Sequence, residues 1–122
     1  MADVTYNITG QVQKGALSQQ FVAGGVTANM ATAGVVAVTL ELGTSTTAIS
    51  TANLGAVGIC VARSLATVET HTVSFGRVVS NTLHDAVRLK AGEAAIVRLA
   101  PGSYAAKSAV EGSRLVLTIY ED

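Results

Sequence analysis

Leu54–Gly76 reads LGAVGICVARSLATVETHTVSFG. Val57, Ile59 and Val61 alternate with Gly58, Cys60 and Ala62, so one edge of the run is bulky and the other small, and Arg63 closes it. After a short polar stretch the alternation resumes, with His71, Val73 and Phe75 on one face and Thr70, Thr72 and Ser74 on the other. A period of two is the mark of strands packed by one face. The stretch reads as a hairpin of two strands at mid-chain, where strands from either side can pair with it.

Working outward, Asp3–Gln13 alternates Val4, Tyr6 and Ile8 against Thr5, Asn7 and Thr9, which predicts a strand bent at Gly10. Lys14-Gly15 signals a turn, and Leu17–Val22 a short strand anchored by Phe21. Ala23–Gly34, AGGVTANMATAG, is small and aperiodic, and its glycines and β-branched residues argue against helix. It reads as a long loop or a flexible extended arm. Val35–Leu42 is a clear strand, and Thr44–Asn53 a hydroxyl-rich turn or edge strand pinned by Ile49.

Beyond the central stretch, Val78-Val79 lead into a polar turn, SNTLHD, with His84-Asp85 in it, and then into Ala86–Leu89. Lys90–Glu93 is a turn, Ala94–Leu99 a strand and Pro101-Gly102 a turn. Tyr104–Ala109 reads as a short edge strand, and Arg114–Tyr120 as the last strand. No amphipathic helix emerges. Strands and turns recurring every eight to twelve residues or so predict an all-β sandwich or barrel. With about eight strands in two sheets, a jelly-roll-like β-sandwich spanning 1–122 as a single domain is the leading topology, with an immunoglobulin-like sandwich as the alternative.

The composition bears on partners. Of 122 residues only 13% are charged, against about 25% in an average soluble domain, and the formal net charge is zero. So little charge favours association. It leaves no basic footprint for nucleic acid. Five aromatic rings (Tyr6, Phe21, Phe75, Tyr104 and Tyr120) leave most of the packing to aliphatic residues. The single Cys60 forms no internal disulfide, so the fold does not depend on an oxidising compartment. No apolar run reaches the ~20 residues of a membrane helix. MADVTYNITG lacks the basic and apolar regions of a signal peptide, which sets the expected place of synthesis and assembly in a cytoplasm.

Catalytic chemistry finds little footing. His71 and His84 are the only imidazoles, thirteen positions apart, and strand periodicity puts only Glu69 beside His71. That is an ordinary charge-assisted contact before it is a metal pair. Cys60 on a central strand reads as a buried, inert thiol. No Ser lies in a Gly-x-Ser-x-Gly elbow, and the glycines of GGVTANMATAG lack the Lys-Ser/Thr of a phosphate loop. The expectation is a non-enzyme with no catalytic residue, metal or cofactor. Val35, Val57–Val61 and Val116 leave some strands apolar on both faces. A two-sheet sandwich buries only one face of each sheet, so the surplus apolar surface calls for a partner.

LGAVGICVARSL, then VSFG, then LKAGEAAIVRLAPG, then the closing LVLTIYED resembles the small β-sandwich decoration, or cement, proteins of tailed bacteriophage capsids. The resemblance spans roughly Leu54–Asp122. It implies a jelly-roll-like homo-oligomer on the outer capsid surface of the virion, assembled in the host cytoplasm. Its partner would be the major capsid protein, with no cofactor, nucleic acid or membrane involved. On that reading the expected contact regions are the N-terminal strand, Ala23–Gly34 and the turns at Ser64–Thr67 and Lys90–Glu93. Within them the candidate interface residues are Tyr6, Phe21, Val26, Met30, Leu65, Lys90 and Glu93. The alternative is a receptor- or glycan-binding head, or a tail or head-fibre attachment module.

Overall fold

A computed structural model describes residues 2–122. The chain divides into two compact units, one ending at Ala31 and the other running Thr32–Asp122. The described residues contain ten strands and no helix.

The first unit is a single antiparallel hairpin of β1 (Val4–Lys14) and β2 (Leu17–Ala28). Its loop is Gly15-Ala16, with Gly15 at φ 55°. A glycine at the first position of a two-residue loop matches the right-handed twist of the flanking strands. β2 is longer than the sequence suggests, because Ala23–Ala28 is strand and only the remainder of the expected arm, residues 29–34, lies outside it. Gly24-Gly25 mark a bulge opposite Asn7 rather than a loop. Ile8 pairs with Ala23 and Tyr6 with Val26, Gly25 takes φ 62°, and its N–H donates to Asn7 Oδ1 at 2.7 Å.

The second unit holds β3 (Val35–Leu42), β4 (Thr47–Ile49), β5 (Val57–Ser64), β6 (Val73–Val79), β7 (Thr82–Leu89), β8 (Ala94–Arg98), β9 (Tyr104–Ser108) and β10 (Ser113–Glu121). They form two four-stranded sheets, β3-β10-β5-β8 and β4-β9-β6-β7. The antiparallel pairs nest: β6 with β7, β5 with β8, β4 with β9 and β3 with β10. This is a long hairpin rolled into two layers, the strand order of a jelly roll. The tip of the roll is the two-residue loop Ser80-Asn81, whose φ angles of 52° and 62° give the doubly left-handed turn that fits a twisted hairpin.

Alternation along the strands fills the space between the sheets. Leu115, Leu117 and Ile119 of β10 are fully buried with Leu42, Val73 and Phe75. The Phe75 and Tyr104 rings stack with centroids 5.7 Å apart. Ser108 and Ser113 share a 2.8 Å hydrogen bond in the interior, so their hydroxyls carry no desolvation debt.

Four further expectations are corrected. β5 and β6 are strands, but not a hairpin: residues 65–72 carry the chain from one sheet to the other. β6 begins at Val73, so His71 lies in a turn in which its N–H donates to the Val68 carbonyl. His84-Asp85 lie in β7, because the turn is only two residues long. β9 is an inner strand between β4 and β6, not an edge, and its Ala105 and Ala106 are small because neighbours close over them.

Candidate interaction surfaces

Cross-strand partners project from the same face of a sheet, so the register of the hairpin sorts its side chains. Val4, Tyr6, Ile8, Gly10, Val12 and Lys14 share a face with Leu17, Gln19, Phe21, Ala23, Val26 and Ala28. Thr5, Asn7, Thr9, Gln11 and Gln13 share the other with Ser18, Gln20, Val22 and Thr27. The ribbon is thus amphipathic. Val4, Tyr6 and Ile8 on its apolar face are half-buried, whereas Val12, Leu17 and Phe21 towards the loop are 40%, 49% and 51% exposed. Phe21 lies across Gly10, its cross-strand partner, where any Cβ would overlap the ring. β1 and β2 pair only with each other, so both outer edges carry unpaired backbone groups. From Val4 to Ala28 the only charged residue is Lys14. Long edges on monomeric proteins usually carry protective charge or proline.

Three of the seven candidate residues, Tyr6, Phe21 and Val26, therefore meet on one face. Met30 follows β2, and its N–H donates to Asp3 Oδ2 at 2.8 Å. Leu65, Lys90 and Glu93 form a second group at one end of the β3-β10-β5-β8 sheet. There Ser64 N–H donates to the Glu93 carbonyl and Leu65 N–H to the Arg114 carbonyl, each at 2.9 Å. Lys90 N–H in turn donates to Glu93 Oε1, which ties that turn to itself. Val12 and Leu17 are not among the seven; a period of two carried across the Gly15-Ala16 loop is the signal that puts them with Phe21.

A third surface is the outer face of the same sheet. Val61 sits between Thr118 and Ile96, Arg63 between Val116 and Ala94, and Val35 beside Tyr120. Val35 is 56% and Val61 37% exposed, on strands whose other face fills the core.

No protein-family model, curated protein or solved structure matches this chain.

The reactive side chains are dispersed. Among the described residues no three His, Cys, Asp or Glu side chains group to hold a metal ion, and the two ion pairs, Arg88–Asp85 and Arg98–Asp122, involve neither histidine. Glu69 and His71 share a turn and not a strand face. Cys60 is fully buried, and burial pushes its thiol up from 9.0 to about 11. The unfolded chain therefore loses this proton first as pH rises. The stability tied to Cys60 is intact below about pH 9 and falls between about 9 and 11, by ~1.4 kcal/mol per pH unit. Urea unfolding at about pH 8 and about pH 10.5 should show the parent losing roughly 2 kcal/mol more than Cys60→Ala between the two. Equal losses would place the thiol in water.

Proposed function

We propose that this chain is a structural virion protein that binds the outer surface of a phage capsid and stabilises contacts between capsomers, with the major capsid protein and further copies of itself as partners. The observation that carries the reading is the hairpin, with its uncovered apolar half, its open edges and its single charge. A two-stranded ribbon has no second layer of its own and is marginal in water without one. An apolar patch rimmed by polar residues marks an interaction site. The outer face of the β3-β10-β5-β8 sheet, where Val35 and Val61 are exposed among Thr39, Arg63 and Thr118, adds a second surface on a rigid support. Many identical copies on a shell multiply a modest affinity per site by avidity. The sequence resemblance over Leu54–Asp122 supplies the capsid as the shell in question.

Sedimentation of the native lysate, with the chain followed by mass spectrometry, tests this. It should travel with virus-sized particles and be released when the outer shell is stripped under mild conditions. Recovery only at the top of the gradient would refute the capsid reading and make glycan binding by the isolated protein the next measurement.

A further inference from the structure

The sandwich is open on one side. β7 and β8 are edge strands of opposite sheets, and between them lies a cavity of about 460 Å³. Its floor is apolar, built from Phe75, Val87, Val97, Leu99 and Tyr104. The one polar atom at the end of a floor side chain, the Tyr104 hydroxyl, already donates to the Ala100 carbonyl. The floor side chains therefore offer contact area and no free hydrogen-bonding group. A sugar or nucleoside laid on it would lose hydrogen bonds to water without replacement.

The mouth is charged. Arg77, His84, Asp85 and Arg98 line it. Two of these charges are engaged, Arg98 with Asp122 at 2.9 Å and Asp85 with Arg88 at 3.5 Å. Arg77 and His84 face each other across the β6–β7 ladder, and among the described residues neither has a carboxylate within ion-pair reach. Arg77 also packs against a turn. Its guanidinium lies against the Pro101-Gly102 turn, where a Cβ on Gly102 would come within 2.7 Å of Nε. Glycine at this position leaves room for the side chain to lie flat at the mouth.

An apolar floor beside an unpaired guanidinium selects an amphipathic anion. We propose that this cavity binds a small carboxylic acid with an apolar body, its carboxylate on Arg77 beside His84 and its hydrocarbon against Phe75, Val97 and Leu99. The volume falls in the range of small-molecule sites. A guanidinium fork matches a carboxylate better than a point charge does. The site is independent of the capsid reading, because it uses neither the hairpin nor the outer sheet face.

Hexanoate, its neutral isostere hexanamide and an amide-resolved NMR titration of the full chain test the proposal. Hexanoate should give saturable shifts confined to Phe75–Arg77, His84–Val87 and Val97–Leu99. Hexanamide should bind there roughly tenfold more weakly or worse, as expected when a charge-assisted hydrogen bond is lost. Arg77→Gln should remove that preference while leaving the weak hexanamide shifts in place, and the spectrum itself reports that the variant is folded. Arg77→Lys should restore only part of it. Shifts that never saturate, shifts elsewhere on the sandwich, equal binding of acid and amide, or an unchanged preference in Arg77→Gln would each overturn the proposal.

Discussion

Gly76→Val is expected to abolish the native fold. Gly76 is buried in β6, between Ala105 of β9 and Asp85 of β7. The ladder to β7 slips at this point: Phe75 pairs with Val87 and Gly76 with Asp85, leaving Ala86 unpaired. The bulge brings the β7 backbone over Gly76, so that a Cβ would overlap the His84 carbonyl oxygen and come within 2.9 Å of the Ala86 nitrogen. Both obstacles are main chain and cannot rotate away. Accommodation means parting β6 from β7 next to the tip of the roll, with loss of ladder hydrogen bonds and of the packing around Phe75. A domain of this size has about 5–15 kcal/mol of stability in all, and a forced backbone displacement in the core removes more than ~4 kcal/mol of it. The soluble yield of Gly76→Val should collapse, or its circular dichroism should show no cooperative melt. Gly24→Ala is the control: its Cβ would meet nothing nearer than Asn7 Oδ1 at 3.8 Å, and it should melt within a few degrees of the parent. A parent-like melting curve for Gly76→Val would mean that β7 does not cross there.

The same bulge shows which features the sequence could reveal. Alternation identified nearly every strand, because a half-buried strand must place apolar residues at every second position. Alternation carries no information about pairing. Leu54–Gly76 held two real strands, yet the residues between them, 65–72, span a crossing between sheets as readily as a hairpin loop. The true reversals sit at two-residue loops, Gly15-Ala16 and Ser80-Asn81, and the second was hidden in a longer polar run. Gly24-Gly25 misled for the opposite reason, since a glycine bulge inside a strand and a flexible loop have the same composition. Of the candidate surfaces, the Val12–Leu17–Phe21 part of the ribbon face was within reach, because period and turn together fix which residues align, whereas Val26 joins that face only through the bulge at Gly24-Gly25. The cavity at β7 and β8 was not. Arg77 and His84 meet across one hairpin, but Arg98, Val97 and Leu99 reach them only through the rolling of the whole sandwich.

Deletion of residues 2–31 is expected to leave a folded sandwich that no longer attaches to particles. All eight strands of the jelly roll, and every buried hydrophobic residue from Leu42 to Ile119, lie within Thr32–Asp122. The nested pairs close without β1 or β2, so the shortened chain should keep its strand signal by circular dichroism and melt in one transition. It would lose the apolar ribbon face and both open edges, and with them the surface that carries the proposed attachment. Particle-bound material in a sedimentation assay should drop to background. A finer version keeps the hairpin and spoils its face. Leu17→Asp with Phe21→Asp puts two charges where a partner would have to strip their water, at about 2 kcal/mol or more per site if these are central contacts, or roughly a thousandfold for the pair. Both positions are half exposed in the free chain, so folding has little to lose there. If the deletion unfolds the chain while the double variant stays folded and detaches, the hairpin supports the sandwich as well as attaching it. If the double variant is folded and attaches like the parent, the apolar ribbon is not the docking surface, and the outer face of the β3-β10-β5-β8 sheet becomes the one to test.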